Sequence, residues 1–416
     1  MRREFAAPNS AGSRWPTSHE EMTRPTLEVA DILRASGRSF WERHGSHLAW
    51  QHRKVMDAIV RCRTATLGGH RDQCLRCGHQ AISYNSCRNR HCPKCQGNAR
   101  AKWLAARSAE LLPVPYFHVV FTLPHELSAL VLQNKRLLYD LLFHTTAATL
   151  LEVARDPKHL GADIGLLGVL HTWGQNLQHH PHLHCVVPAG GLALDGSGWI
   201  AASPRFFLPV RVLSRVFRGK FTAALKQLFL QGKLQFHGTL QELTRPERFR
   251  QFLRQLFTKE WVVYAKPPFG GAEHVLHYLA RYTHRVGISN HRIVAFKEDR
   301  VSFRWKDYTA GGKQKVMTVP AEEFLRRFLI HVLPKSLVRI RHFGLFANRR
   351  RAASLLRCRS LLGTPSSSQR PAPSSQPRCP SCSEPMIILE RMTCSQLHFR
   401  STLTLPNTPQ CGVDSS

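Results

Sequence analysis

The sequence predicts an α+β protein in which a helical, metal-binding N-terminal region precedes a larger domain built around one sheet. Three observations carry that expectation. Hydrophobic residues make up 43% of 416, enough for two or three units with buried cores. Five of the twelve cysteines crowd into residues 74–95 among histidines, a clustering that suits a metal better than disulfides. Beyond residue 115, aromatic and β-branched runs alternate with stretches of helical periodicity.

Residues 1–25 are polar and broken by Pro8, Gly12, Pro16 and Pro25, and read as a loose arm. From Leu27 to Cys62 the pattern is helical, with Val55 and Ile59, and Met56 and Val60, spaced to share a face. A Cys/His-rich knuckle follows, then a helical stretch over Ala99–Leu112 carrying Trp103, Leu104 and Leu111, closed by Pro113 and Pro115. Tyr116–Thr122 is aromatic and β-branched, which favours a strand. Leu127–Leu151 reads as helix, Ile164–Leu170 and Leu183–Val187 as strands, and Ala272–Val286 as helix. Arg292–Lys297, Val301–Trp305 and Lys315–Val319 read as strands on short turns, and the Pro/Ser-rich run from Thr364 to Pro377 as a linker.

Charge narrows the function classes. There are 59 Lys+Arg against 27 Asp+Glu, a formal net charge of +32 that attracts polyanions. Nucleic acid is the expected partner, ahead of an anionic membrane surface. No run of eighteen apolar residues predicts a membrane span, and Met1-Arg2-Arg3-Glu4-Phe5 has no signal-peptide character. The expectation is a cytoplasmic, nucleoid-associated bacterial protein without a membrane partner.

The cysteine spacing defines the first candidate site. A CxxC hairpin brings two thiolates onto one ion, and a second CxxC can complete a tetrahedron. Cys74, Cys77, Cys92 and Cys95 form that pairing, with Cys87 and His91 as competing or additional zinc ligands and a second ion left open. Arg88, Arg90, Lys94, Arg100 and Lys102 surround the cluster and are expected to touch phosphate.

The second candidate lies in His179-His180-Pro181-His182-Leu183-His184-Cys185. On a strand, the period of two sends His182 and His184 to one face and Leu183 and Cys185 toward a core. Two imidazoles side by side start a divalent metal site with open positions. His180 or Gln175 could join or support them. The third candidate is His277-Tyr278-Leu279-Ala280-Arg281-Tyr282-Thr283-His284-Arg285, where helical spacing puts Tyr278 and Tyr282 one turn apart. A tyrosine can attack a phosphodiester and conserve the bond's energy for rejoining, while Arg281 or Arg285 offsets phosphate charge.

The run from Tyr84 to Cys95, the segment from Trp173-Gly174-Gln175 through His184, and Tyr278 to Arg285 together resemble one family. It is the HUH-endonuclease rolling-circle transposases of insertion sequence family ninety-one, in the two-tyrosine form, and the resemblance spans about residues 28–362. It implies an N-terminal zinc-binding domain followed by an HUH-type catalytic domain with a central antiparallel sheet and flanking helices. It also implies that His182 and His184 hold a catalytic Mg²⁺ or Mn²⁺ and that Tyr278 and Tyr282 are nucleophiles. The third metal ligand is left open among His180, Glu273, His277 and His284.

The domains expected are an arm (1–25), a zinc-binding domain (26–113), a catalytic domain (114–348), and a basic segment with a low-complexity tail (349–416). Cys379-Pro380-Ser381-Cys382 looks like the start of a metal knuckle without a clear second pair. The substrate implied is the single-stranded end of the protein's own mobile element. No GxxxxGK[ST] loop is present, so strand separation falls to a host helicase or replication factors. The alternatives are a plasmid replication initiator or relaxase-like nickase, and a non-catalytic zinc-dependent DNA-binding protein, including an inactive transposase copy.

Overall fold

The computed structural model describes residues 25–203, 207–266, 287–307, 310–363 and 377–397. The order begins with helices α1 (Val29–His44) and α2 (Trp50–Arg61), the hairpin β1 (Gly69–Cys74) and β2 (Gln80–Tyr84), and α3 (Gly97–Ser108). Then come β3 (Tyr116–Thr122), α4 (Ser128–Gln133), α5 (Lys135–Arg155), β4 (Ala162–Asp163), β5 (Gly165–Trp173), β6 (His179–Pro188), β7 (Gly190–Ala193) and β8 (Trp199–Ala201). Next are α6 (Val210–Leu230), α7 (Pro246–Phe257), β9 (Val263–Lys266), β10 (Ile293–Lys297), β11 (Arg300–Asp307) and β12 (Lys313–Pro320). The last are α8 (Ala321–Leu329), β13 (Ile340–Gly344), α9 (Arg351–Leu361) and β14 (Met386–Met392).

The centre is a five-stranded sheet in the order β13-β5-β6-β3-β9, with every pairing antiparallel. Its two faces follow from alternation along each strand. Phe117, Val119 and Phe121 of β3, Leu183, Cys185 and Val187 of β6, and Leu166 and Leu170 of β5 enter one core. That core is filled by Leu138, Tyr139, Leu142 and Phe143 of α5 and Phe217, Phe221 and Leu225 of α6. By length and composition α5 could cross a membrane, but it is largely buried inside this fold. On the opposite face, Tyr116, Leu167, Val169 and Val186 pack under Trp103 and Leu111.

A second core does not respect the domain division expected from sequence. Val29, Ile32, Leu33 and Phe40 of α1 and Val55, Met56 and Ile59 of α2 pack with Val301 and Phe303 of β11 and Phe324 and Phe328 of α8. The N-terminal helices thus complete a core whose other half lies near residue 300, and residue 113 is no packing boundary. Within the basic segment and low-complexity tail expected from residue 349 onward, α9 buries Leu355 and Cys358, and β14 pairs with β1. Proline- and serine-rich composition between 364 and 377 hid that return from sequence reasoning.

The stretch after α8 is held by positive side chains. Arg90 donates to the carbonyls of Leu337 (2.6 Å) and Pro334 (2.7 Å), and Lys135 to those of Ile330 (2.7 Å) and Val332 (3.2 Å). The backbone N–H of Leu333 donates to His91 Nε2 at 3.1 Å. Buried carbonyls with no helical partner need such donors. Two further histidines, His179 half-buried and His331 buried, brace the sheet. His179 lies 2.7 Å from Ser128 Oγ and 3.0 Å from Tyr139 Oη, and His331 lies 3.1 Å from Thr172 Oγ1 and 3.0 Å from the Leu177 carbonyl.

Burial holds His91, His179 and His331 each down to about 3, with neighbouring positive charge adding to it, and His118 down to about 4. The unfolded chain takes up these protons near 6.5, while the folded chain refuses them until far lower pH. Their neutral burial is therefore fully tolerated above 6.5, and stability falls as pH drops toward 4. Urea midpoints of the metal-free protein should decrease from pH 7.5 to pH 4.5; equal midpoints would contradict this assignment. Gly344 has φ +61, and a Cβ there would come within 2.0 Å of the Ile164 carbonyl oxygen. Gly344→Ala should therefore cost more than about 1 kcal/mol in urea unfolding, and an unchanged midpoint would refute the close approach of β13 to residue 164.

Candidate metal centre and nucleic-acid site

Strand register builds the site. His182 of β6 stands directly opposite His171 of β5, and His184 opposite Val169, so all three imidazoles share one face. Their ligand atoms lie within 4.8 Å of one another. Ring centroids are 4.2 Å apart for His171 and His184, 4.8 Å for His182 and His184, and 5.3 Å for His171 and His182. The pairing of β5 with β6 becomes irregular between His171 and Trp173, where the Trp173 ring stacks on His171 at 4.9 Å.

The expectation that His182 and His184 share a face, with Leu183 and Cys185 turned to the core, matches the observed burial of those two residues. Sequence reasoning missed His171. The predicted strand stopped at Leu170, one residue short; continuing the alternation Leu167, Val169 would have placed His171 on the histidine face. His180 is exposed and stands outside the trio, but its carbonyl accepts from His182 Nδ1 at 2.6 Å. Gln175 gives its carbonyl to Arg292. Glu273, His277, Tyr278, Arg281, Tyr282, His284 and Arg285 lie outside the described residues.

The trio suits a cation chemically. Burial, followed by the neighbouring imidazoles, lowers His184 well below its ordinary value, and burial lowers His182 to about 3, so both are neutral bases at neutral pH. The Nδ1–H of His182 donates to a carbonyl, which fixes its tautomer and leaves Nε2 as the basic atom. His184 Nδ1 is 2.7 Å from Nε2 of His118 on β3, a buried neighbour on the same face. With Nε2 of His184 on a cation, its Nδ1–H would donate to His118.

The cysteines divide differently from the expected set. Cys74 and Cys77 do not join Cys92 and Cys95. Instead Cys62, Cys87, Cys92 and Cys95 converge in one cluster, and Cys74 and Cys77 meet Cys379 and Cys382 in another. The reason is topological: β1 carries Cys74 away from the knuckle, while Cys62 at the C-terminal end of α2 faces it. In the first cluster the Cys87 and Cys95 sulfurs are 3.6 Å apart, and the Cys87 N–H donates to Cys62 Sγ at 3.5 Å. Contacts from Cys62, Cys87 and Cys92 hold the Cys95 thiol down, while those from Cys62, Cys87 and Cys95 push Cys92 up. His91 is no ligand here, because Asn89 and the Leu333 amide engage its two nitrogens.

Two of the basic residues expected at DNA are used inside the protein. Arg90 holds carbonyls of residues 334 and 337, and Lys94 pairs with Glu28 while only 8% of its side chain is exposed. Arg88 is exposed, with φ +50 on the loop between the Cys87 and Cys92 thiols.

Comparison with known proteins places the chain in a family. Residues 32–123 match the family model described as "Transposase zinc-binding domain", and residues 165–353 match one described as "Putative transposase". The chain is 54% identical over 381 residues to "Putative transposase y4qJ" of Sinorhizobium fredii (strain NBRC 101917 / NGR234), spanning 88% of this chain and 96% of that protein. It is 28% identical over 299 residues to "Transposase for insertion sequence element IS801" of Pseudomonas savastanoi pv. phaseolicola, spanning 71% of this chain and 70% of that one. A structure of TrwC with a 27-mer DNA comprising a recognition hairpin and cleavage site is similar over 60% of this chain and 75% of its own. At 14% identity and a TM-score of 0.21, that overlay supports no argument. Zinc binding at the N-terminal region and action on DNA follow from the family matches. A zinc-binding N-terminal region, a sheet carrying clustered histidines, and a 54% identical relative covered almost end to end lead to one conclusion: the chain belongs to the insertion-sequence transposases of the IS91 type.

Proposed function

We propose that this transposase nicks and rejoins single-stranded DNA at the ends of its own mobile element, through a covalent 5′-phosphotyrosine. The observation that carries the reading is the register of β5 on β6, which sets His171, His182 and His184 on one sheet face. These three would hold the divalent ion, with His171 filling the third position that sequence reasoning left open. Three imidazoles suit Mn²⁺ better than Mg²⁺, which prefers oxygen ligands. When bound, the ion would polarise the scissile phosphate and offset its developing charge.

The chain's own residues supply the rest. His118 and the His180 carbonyl orient the imidazoles. Tyr278 or Tyr282 is the nucleophile: its oxygen bonds to phosphorus, the bond to the 3′ oxygen breaks, and the tyrosyl proton reaches that oxygen through solvent. Reversal with a second 3′-hydroxyl rejoins strands without a nucleotide cofactor, and two tyrosines permit successive transfers. Arg281 and Arg285, which share the tyrosines' stretch of sequence, would offset phosphate charge. Cys62, Cys87, Cys92 and Cys95 hold a structural Zn²⁺ that shapes the loop presenting Arg88 to DNA.

Purified protein should form denaturation-resistant adducts with labelled single-stranded element ends in Mn²⁺. Adduct should disappear on chelation and in the Tyr278→Phe/Tyr282→Phe double variant; adduct persisting in the double variant would end the mechanism. Tight binding of a confirmed end sequence without any adduct would favour a non-catalytic DNA-binding role. His118→Ala should raise the Mn²⁺ concentration for half-maximal adduct about 10-fold or more, because an unsupported ligand binds metal more weakly. No change in that concentration would remove His118 from the positioning role.

A further inference from the structure

We propose that Cys74, Cys77, Cys379 and Cys382 form a second Zn²⁺ site, which fastens the C-terminal segment to the N-terminal zinc-binding unit. The family matches cover residues 32–123 and 165–353, so neither reaches Cys379. The sequence offered only an isolated CxxC at 379–382, and the fold supplies the partner.

Three sulfur separations have been resolved: 3.4 Å for Cys74 and Cys382, 3.5 Å for Cys77 and Cys379, and 3.6 Å for Cys77 and Cys382. Four thiolates around a tetrahedral Zn²⁺, with bonds of about 2.3 Å, place their sulfurs about 3.8 Å apart. Two disulfides would instead give two short separations of about 2.05 Å and leave the remaining ones long. The near-equal distances fit one shared ion.

The backbone is shaped for the same purpose twice. The Cys74 N–H donates to the His79 carbonyl (2.9 Å) and the Gly78 N–H to the Cys74 carbonyl (3.0 Å). In the second knuckle the Cys379 N–H donates to the Glu384 carbonyl (2.7 Å) and the Ser383 N–H to the Cys379 carbonyl (2.8 Å). Gly78 has φ +72 and Ser383, at the equivalent position, φ +61. A serine takes that conformation only where surrounding bonds demand it.

The two knuckles stand at one end of a three-stranded antiparallel sheet, in the order β14-β1-β2. Cys74, the last residue of β1, pairs with Met386, the first of β14, so the strands deliver their cysteines to the same end. Arg76 and Glu384 add an ion pair of 3.2 Å across the gap. The ligands are separated by as many as 308 residues, so the ion closes a loop comprising most of the chain. Removing it would free β14 from β1 and expose the N-terminal hairpin's outer edge.

The test uses the full chain and zinc alone, counted by plasma mass spectrometry. The Cys379→Ser/Cys382→Ser variant should hold one zinc fewer per chain than the wild type; equal zinc content would overturn the proposal. Wild-type protein gives a second reading that needs no variant. Cys77 is exposed and Cys382 partly so, and free thiolates there would react with iodoacetamide. Both should be protected in the zinc-loaded protein and labelled after chelation. Equal labelling of Cys77 and Cys382 with and without zinc would overturn the site.

Discussion

The antiparallel register of β5 on β6 is the constraint on which the candidate centre depends. Slipping one strand by a single residue would turn His182 and His184 into the apolar core and bring Leu183 and Cys185 onto the histidine face. That slip is opposed by the burial of Leu170, Leu183 and Cys185 against α5 and α6. At Gly168 a Cβ would already touch Leu183 and Phe143 at 3.4 Å, a measure of how closely α5 is seated. The hydrophobic pattern that closes the sheet therefore also sets the positions of the imidazoles. Folding and the placement of the three imidazoles are decided by the same contacts.

Around this sheet, charge serves two purposes. A net charge of +32 provides the long-range attraction expected of a DNA-acting enzyme. Several individual cations near the knuckle act internally instead. Arg90 and Lys135 satisfy carbonyls after α8, and Lys94 neutralises Glu28 at the start of α1. They join the cysteine-rich loop, the N-terminal helices and the central sheet into one framework. A basic residue beside a metal knuckle is thus not by itself a DNA contact.

What the sequence made legible was local. Alternation gave the two faces of β6, and β3 occupies the residues its aromatic and β-branched run predicted. Cysteine spacing indicated tetrahedral metal binding, and the resemblance named the family that the comparisons support. Pairings between distant segments were not legible. Alternation could carry His171 onto the face of Val169, but nothing local sets it opposite His182, turns Cys62 toward Cys92, or returns Cys379 to Cys74. Those juxtapositions arise from strand pairing and helix packing, which spacing along the chain does not encode. Arg90 was misassigned for the same reason: its carbonyl partners lie more than two hundred residues away.

The central claim is that His171 completes the metal centre with His182 and His184, and Mn²⁺ titration followed by electron paramagnetic resonance tests it most directly. Zinc-loaded wild-type protein should take up one Mn²⁺ at the histidine site. His171→Ala, with zinc content and folding unchanged, should bind that ion at least about 10-fold more weakly, since cutting even a ligand's outer support costs that much. Equal Mn²⁺ affinity in the two proteins would contradict the account and return the third ligand to the segment that carries the tyrosines.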